Sequence, residues 1–182
     1  MNKANDEHSL SCLSEALSSF KCDLDSDIET FLHTKAIEFL ENGLCSTYLI
    51  LDEEKFEKGE IFIEAYFTLS HKTMIRPECV SGSKIQKVSR FRKSTSLHFV
   101  LIGQLGKYIS VKNDVEIVKS EISINEILEY AFEVISESSA LIPCRCVLVE
   151  CHDAVKDKCI YEKSGFTYFQ QDEDLHQYYK LL

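Results

Sequence analysis

Residues 97–107, Leu97-His98-Phe99-Val100-Leu101-Ile102-Gly103-Gln104-Leu105-Gly106-Lys107, decide how this chain is read. Leu97 to Leu105 is the most apolar strand-like run in the 182 residues. A strand that apolar is covered on both faces, so it is expected at the centre of a sheet. Upstream, residues 46–51 (STYLIL) and 60–69 (EIFIEAYFTL) are β-branched and aromatic. The charged stretch Asp52–Gly59 separates them, which predicts a hairpin. Downstream, residues 145–151 (RCVLVEC) predict a second buried strand, and Phe166–Gln170 and Tyr178–Leu182 predict closing strands.

Helices fit between these strands. Leu10, Leu13, Leu17 and Phe20 recur at helical spacing, after a loose end at 1–9. Ser26-Asp27-Ile28-Glu29 has the pattern of a capping box, and Ile28, Phe31, Leu32, Ala36, Phe39 and Leu40 continue as one apolar stripe to Gly43. Ser123-Ile124-Asn125-Glu126 repeats the capping pattern ahead of Ile127, Leu128, Ala131 and Ile135. Asp153 is placed to cap a short helix ending at Ser164-Gly165. Residues 70–94 are expected as a long loop with a short turn or helix. The sum is a mixed α/β single domain over 1–182, with 1–19 as an N-terminal arm or helix.

Composition excludes several classes. Only 6 Gly and 2 Pro rule out a collagenous or low-complexity chain. No apolar run approaches a membrane span, and the N-terminal residues lack a signal-peptide pattern, so a cytoplasmic protein is expected. The eight cysteines are then expected as reduced thiols. Cys144 and Cys146 fit buried small hydrophobes better than metal ligands, and no metal site is expected. Twenty basic against 30 acidic side chains give a net charge of −10, which disfavours a dedicated nucleic-acid binder. The charge is uneven, however. Cys79–Asn113 holds no acidic residue and seven basic ones, Lys84, Lys87, Arg90, Arg92, Lys93, Lys107 and Lys112, so the rest carries −17. That segment favours an anionic ligand. The dense stretch 84–93 serves equally as a solvated edge, a phosphate clamp, a substrate flap or an RNA contact.

Leu101-Ile102-Gly103-Gln104-Leu105-Gly106-Lys107, the helix near 123, the strand after it and Tyr161-Glu162-Lys163-Ser164-Gly165-Phe166 together resemble the GNAT N-acetyltransferases. Phe20-Lys21-Cys22-Asp23, Phe31-Leu32, Thr47-Tyr48-Leu49 and Tyr66-Phe67-Thr68-Leu69-Ser70 resemble the branch containing bacterial toxin-like acetyltransferases. The resemblance implies a splayed, mostly antiparallel sheet flanked by helices, with acetyl-CoA in the splay. Backbone groups of Leu105, Gly106 and Lys107 would pair with the pantetheine arm, since a parted strand offers unpaired amides. Lys119, Ile122, Ser123, Ile124 and Asn125 would hold the pyrophosphate at a helix N-terminus. Tyr161 would be the general acid that reprotonates the CoA thiolate. The reaction implied is direct attack of a primary amine, through a tetrahedral intermediate. The toxin-like branch implies aminoacyl-tRNA as acceptor, which the net charge disfavours, and a homodimer or an antitoxin-like partner.

One departure matters. Where the family has small residues in its phosphate loop, Lys119-Ser120-Glu121-Ile122-Ser123-Ile124 has two isoleucines, and Glu121 and Glu126 add negative charge. Neither isoleucine brings backbone to a phosphate as closely as glycine does. A weakened CoA site, or a non-catalytic binding protein on the same fold, is the competing expectation. For the base that takes the acceptor proton, Glu64, His98, Glu150 and water all stay open. Cys151-His152 is no nucleophilic pair, because neighbours on a strand face opposite ways.

Overall fold

The computed structural model describes residues 12–113, 116–152 and 160–182. Residues 12–19 form helix α1, followed by α2 (Ser26–Thr34) and α3 (Ala36–Glu41). The chain continues through β1 (Ser46–Leu51), α4 (Glu53–Glu57), β2 (Ile63–Ile75), α5 (Gly82–Ser89) and β3 (Ser96–Lys107). Then come β4 (Ile109–Lys112), β5 (Glu116–Lys119), α6 (Ile124–Ser139), β6 (Cys146–Cys151), β7 (Thr167–Asp172) and β8 (Leu175–Leu181). Residues 160–163 are helical and end at Gly165, whose φ of 84° is the left-handed value expected of a helix stop. The cap at Asp153, Leu10 and the arm at 1–9 lie outside the described residues.

Six strands form one sheet in the order β1-β2-β3-β6-β8-β7, mixed α/β and mostly antiparallel, as the sequence implies. β3 is interior, as its apolar run requires. Its partner β6 is parallel to it, in register at Val100↔Val147, Leu101↔Leu148 and Ile102↔Val149. β6 pairs antiparallel with β8, and β8 with β7. β3 runs on to Lys107, past its last pair with β6.

The chain divides into two compact units, one of residues 1–68 and 104–122, the other of 69–103 and 123–182. The first has its core where α1, α2 and α3 bury Leu17, Phe20, Phe31, Leu32 and Ala36 with Ile63 and Tyr66 of β2. The second has its core where Ile85 and Val88 of α5 meet Leu97 and Phe99 of β3, Cys146 and Leu148 of β6, Phe169 and Tyr179. On α6, Ile127, Leu128, Ala131 and Ile135 are buried, the stripe read from the sequence.

Four local readings change. The capping residue of α2 is Asp25, not Ser26: it has extended backbone and accepts from Asp27 N (3.0 Å) and Ile28 N (3.3 Å). Glu29 therefore does not reach back to the helix start. It accepts from Cys22 N–H (2.8 Å) and Lys21 Nζ (3.0 Å), and these partners hold its carboxyl below the usual range. The expected single stripe breaks at Lys35 into two helices, which leaves Leu40 56% exposed. The β1–β2 connection contains α4, capped by Asp52, and β2 extends to Ile75 rather than ending near 69. Finally, β4 and β5 form a separate two-stranded sheet in a stretch where no strand was read.

The cap assignment has a direct consequence. Asp25→Ala should cost about 1 kcal/mol of stability, the usual value of an N-cap side chain. Ser26→Ala should fall within about 0.5 kcal/mol of the parent. Urea unfolding of both variants measures the difference.

Candidate functional site

In the first unit the end of β3 is set by close packing. A Cβ at Gly106 would overlap Ile28 Cγ2 and come to 3.0 Å from Tyr66 Cε1. The Tyr66 ring stacks on Phe31 at 6.3 Å between centroids and meets Phe20 edge-on at 5.5 Å. Its hydroxyl donates to Ile28 O at 2.6 Å, and burial pushes its pKa well up, so it stays a neutral donor. Leu105 is half-buried. Lys107 Nζ donates to Ser120 O (3.2 Å) and Ile122 O (3.0 Å). That ammonium therefore fixes the path of the 120–122 segment in which the phosphate loop was read. Lys119 is exposed at the end of β5 and Ile122 is half-buried.

In the second unit, α6 opens on the capping box that the sequence announced. Ser123 Oγ accepts from Glu126 N (3.2 Å), and Glu126 Oε2 accepts from Ser123 N (2.8 Å). Bonding to the Ser123 hydroxyl and then to its amide lowers the Glu126 pKa. Two of the amides at this helix start are thus occupied. No acceptor meets Ile124 N or Asn125 N among the described residues. These two remain for an anion, while the half-buried Ile124 side chain replaces a small residue. Asn125 Oδ1 accepts from Ser164 Oγ (2.9 Å), which ties the helix start to the turn after Tyr161. Lys180 Nζ donates to Ser164 O (2.9 Å) and lies 4.2 Å from the Phe132 ring centroid. Tyr161 itself is half-buried, with its ring 5.7 Å from Phe166 and 5.8 Å from Tyr178.

The candidate bases have distinct surroundings. Glu64 lies in β2 and is half-buried. His98 is exposed, with Nδ1 3.0 Å from Thr73 Oγ1 and Nε2 3.3 Å from Ser96 Oγ. Glu150, 14% exposed, accepts at Oε1 from both Lys72 Nζ and Gln177 Nε2, each at 2.6 Å. Gln177 Oε1 in turn accepts from Gln170 Nε2 at 2.8 Å. Gln177 is fully buried and Gln170 nearly so. Sequence reasoning found Glu150 but missed Lys72, Gln170 and Gln177. The available signal was a glutamine at two strand positions otherwise flanked by aromatic residues, in Tyr168-Phe169-Gln170 and Gln177-Tyr178-Tyr179.

Cys22, Cys45, Cys79, Cys144 and Cys146 are free thiols. Burial pushes the Cys146 thiol up to about 12, which removes it as a nucleophile and fits its place in the core. The first part of the basic stretch 84–93 lies in α5, the short helix allowed for within 70–94. Lys84 Nζ donates to the backbone of Tyr168 and Phe169, both at 3.1 Å, while Arg90 closes α5 at a φ of 69°. No helix among the described residues is long and apolar enough to cross a membrane.

The packing at Gly106 is testable. Gly106→Ala should destabilise by about 1–3 kcal/mol, the usual range for overpacking, because Ile28 and Tyr66 must both move. Thermal and urea unfolding read this, and a stability equal to the parent would contradict the packing described.

No protein-family model and no curated protein matches the sequence. Solved structures do. AtaT complexed with acetyl-methionyl-tRNAfMet aligns with a TM-score of 0.68 and 18% identity, covering 91% of this chain and 86% of that one. AtaT bound with acetyl-CoA, in its complex AtaTR, gives 0.66 and 19% over the same shares. A tyrosine-to-phenylalanine mutant of KacT gives 0.65 and 15%, again over 91% and 86%. The architecture, with β3 and β6 as a parallel pair in a mostly antiparallel sheet, is the GNAT fold of these structures.

Proposed function

We propose that the protein is an acetyl-CoA-dependent N-acetyltransferase acting on a primary amine. The observation that carries this reading is the extension of β3 to Lys107 beyond its last parallel pair, Ile102↔Val149. A strand that outruns its partner offers backbone donors and acceptors to an amide-bearing ligand. Acetyl-CoA, the cosubstrate, supplies an acetyl group already activated as a thioester.

The residues fit this ligand in part. Leu105, Gly106 and Lys107 bind the pantetheine arm through their backbone. Lys119 contributes positive charge to the phosphates, and the amides of Ile124 and Asn125 bind the pyrophosphate beside Ile122 and Ser123. Tyr161 donates its phenolic proton to the departing thiolate, as a phenol can. Glu150 is already engaged by Lys72 and Gln177, and His98 by two hydroxyls. Glu64 and water therefore remain to take the ammonium proton of the acceptor. The acceptor is a primary amine. AtaT has been solved with acetyl-methionyl-tRNAfMet and with the antitoxin AtaR, so aminoacyl-tRNA and an antitoxin-like partner are the first to try.

A second reading rests on a specific observation. The Ser123–Glu126 capping box takes two of the helix-start amides and sets a carboxylate there. This favours a binding protein on the same fold with little or no turnover.

Calorimetric titration with acetyl-CoA separates the two. The enzyme reading predicts saturable binding, and no heat at millimolar ligand would favour the second reading. Tyr161→Phe should lower kcat by about 100-fold or more, the scale of general acid catalysis, with acetyl-CoA affinity nearly unchanged. Acetyl transfer to a polyamine or peptide but not to charged tRNA would reject the toxin reading.

A further inference from the structure

A cavity of about 460 Å³ lies in the second unit, lined in part by His71, Phe91, Ser96, His98, Ile142 and Arg145. Its size falls within the range of about 300–1,000 Å³ usual for small-molecule sites. No carboxylate lines it. Arg145 donates from Nε to Lys87 O at 3.1 Å, a bond that orients the guanidinium. Its terminal nitrogens meet no acceptor and no carboxylate among the described residues. The basic side chains of the preceding segment, Lys87, Arg90, Arg92 and Lys93, likewise form no ion pair among the described residues. His98 is fixed at both ring nitrogens by Thr73 and Ser96, so a polar wall is already positioned. The mouth is apolar: Phe91 is 72% exposed and Ile142 63%. An arginine with no counter-charge at a concave site that an exposed ring also lines is an incomplete arrangement that a ligand can complete.

We propose that this cavity binds a small organic anion whose charged head meets Arg145 while its ring packs on Phe91 and Ile142. The head is a phosphate or a carboxylate, because both present the paired oxygens that a guanidinium takes in a bidentate manner. Lys119, Ile124, Asn125 and Tyr161 are absent from its lining, so this site stands apart from the residues proposed for acetyl-CoA.

The test uses the full chain and three probes with the same ring: phenyl phosphate, phenylacetate and the neutral benzyl alcohol. Calorimetry should show at least one anion binding ten times or more tighter than benzyl alcohol. The tighter anion names the head group. Arg145→Gln should weaken that anion at least tenfold while leaving acetyl-CoA affinity unchanged, so failure here and failure of the acetyltransferase reading are told apart. Should that variant not fold, the parent protein answers by thiol alkylation. Cys144 lines the cavity and Cys79, exposed, does not. Saturating anion should slow alkylation of Cys144 at least threefold and leave Cys79 unchanged. Equal affinity for the three probes, no binding of any, or no protection of Cys144 would overturn the proposal.

Discussion

The parallel pairing of β3 with β6 is the constraint on which the rest of this molecule depends. Parallel strands need a crossover between them, and here it is supplied by β4, β5 and α6. Pairing is recorded from Val100 to Ile102, yet β3 continues to Lys107. Every backbone amide in a folded chain must find a partner, so the continuation of β3 asks what satisfies it. Part of the answer is local. Gln104 N donates to Thr68 Oγ1 at 2.8 Å, a side chain standing in for backbone. β2 pairs with β3 along its other edge, so the ligand reading concerns only the edge toward β6 beyond Ile102.

Around that strand the two units solve different problems. The first packs aromatic rings and helix α2 so tightly on β3 that position 106 has no room for a side chain. It also uses Lys107 to hold the carbonyls of residues 120 and 122, which sets the course of the chain toward α6. The second lines up a polar row, Lys72, Glu150, Gln177 and Gln170, with the two glutamines buried, and satisfies each member with the next. Taking a carboxylate largely out of water is costly unless it is paired and hydrogen-bonded, and Glu150 is both. That engagement is why its interruption of an apolar strand marks a network rather than a free base.

Much of this was legible in the residues. β3 announced itself by its apolar run, α6 by Ser123 and Glu126, and β6 by its valines and leucine, because each signal is local and strong. The toxin-like acetyltransferase resemblance rested on the order of such segments, and the fold bears it out. What was hidden depended on choices between neighbours or on distant partners. Asp25 outcompetes Ser26 as a cap because it lies just outside the helix, with the extended backbone a cap needs. The β4–β5 hairpin carries exposed Ile117 and Val118 without clear alternation, so it reads as loop. Lys72 and Glu150 are far apart in sequence, and only the sheet brings them together. At the candidate site the capping box was readable, whereas the bond from Ser164 to Asn125 was not.

The central proposal is that the amides of Leu105–Lys107, and those of Ile124 and Asn125, serve acetyl-CoA. Amide hydrogen exchange with and without acetyl-CoA tests it most directly. The account predicts slowed exchange at Leu105, Gly106 and Lys107 and at Ile124 and Asn125. Saturable binding with no protection at either group of amides would contradict it.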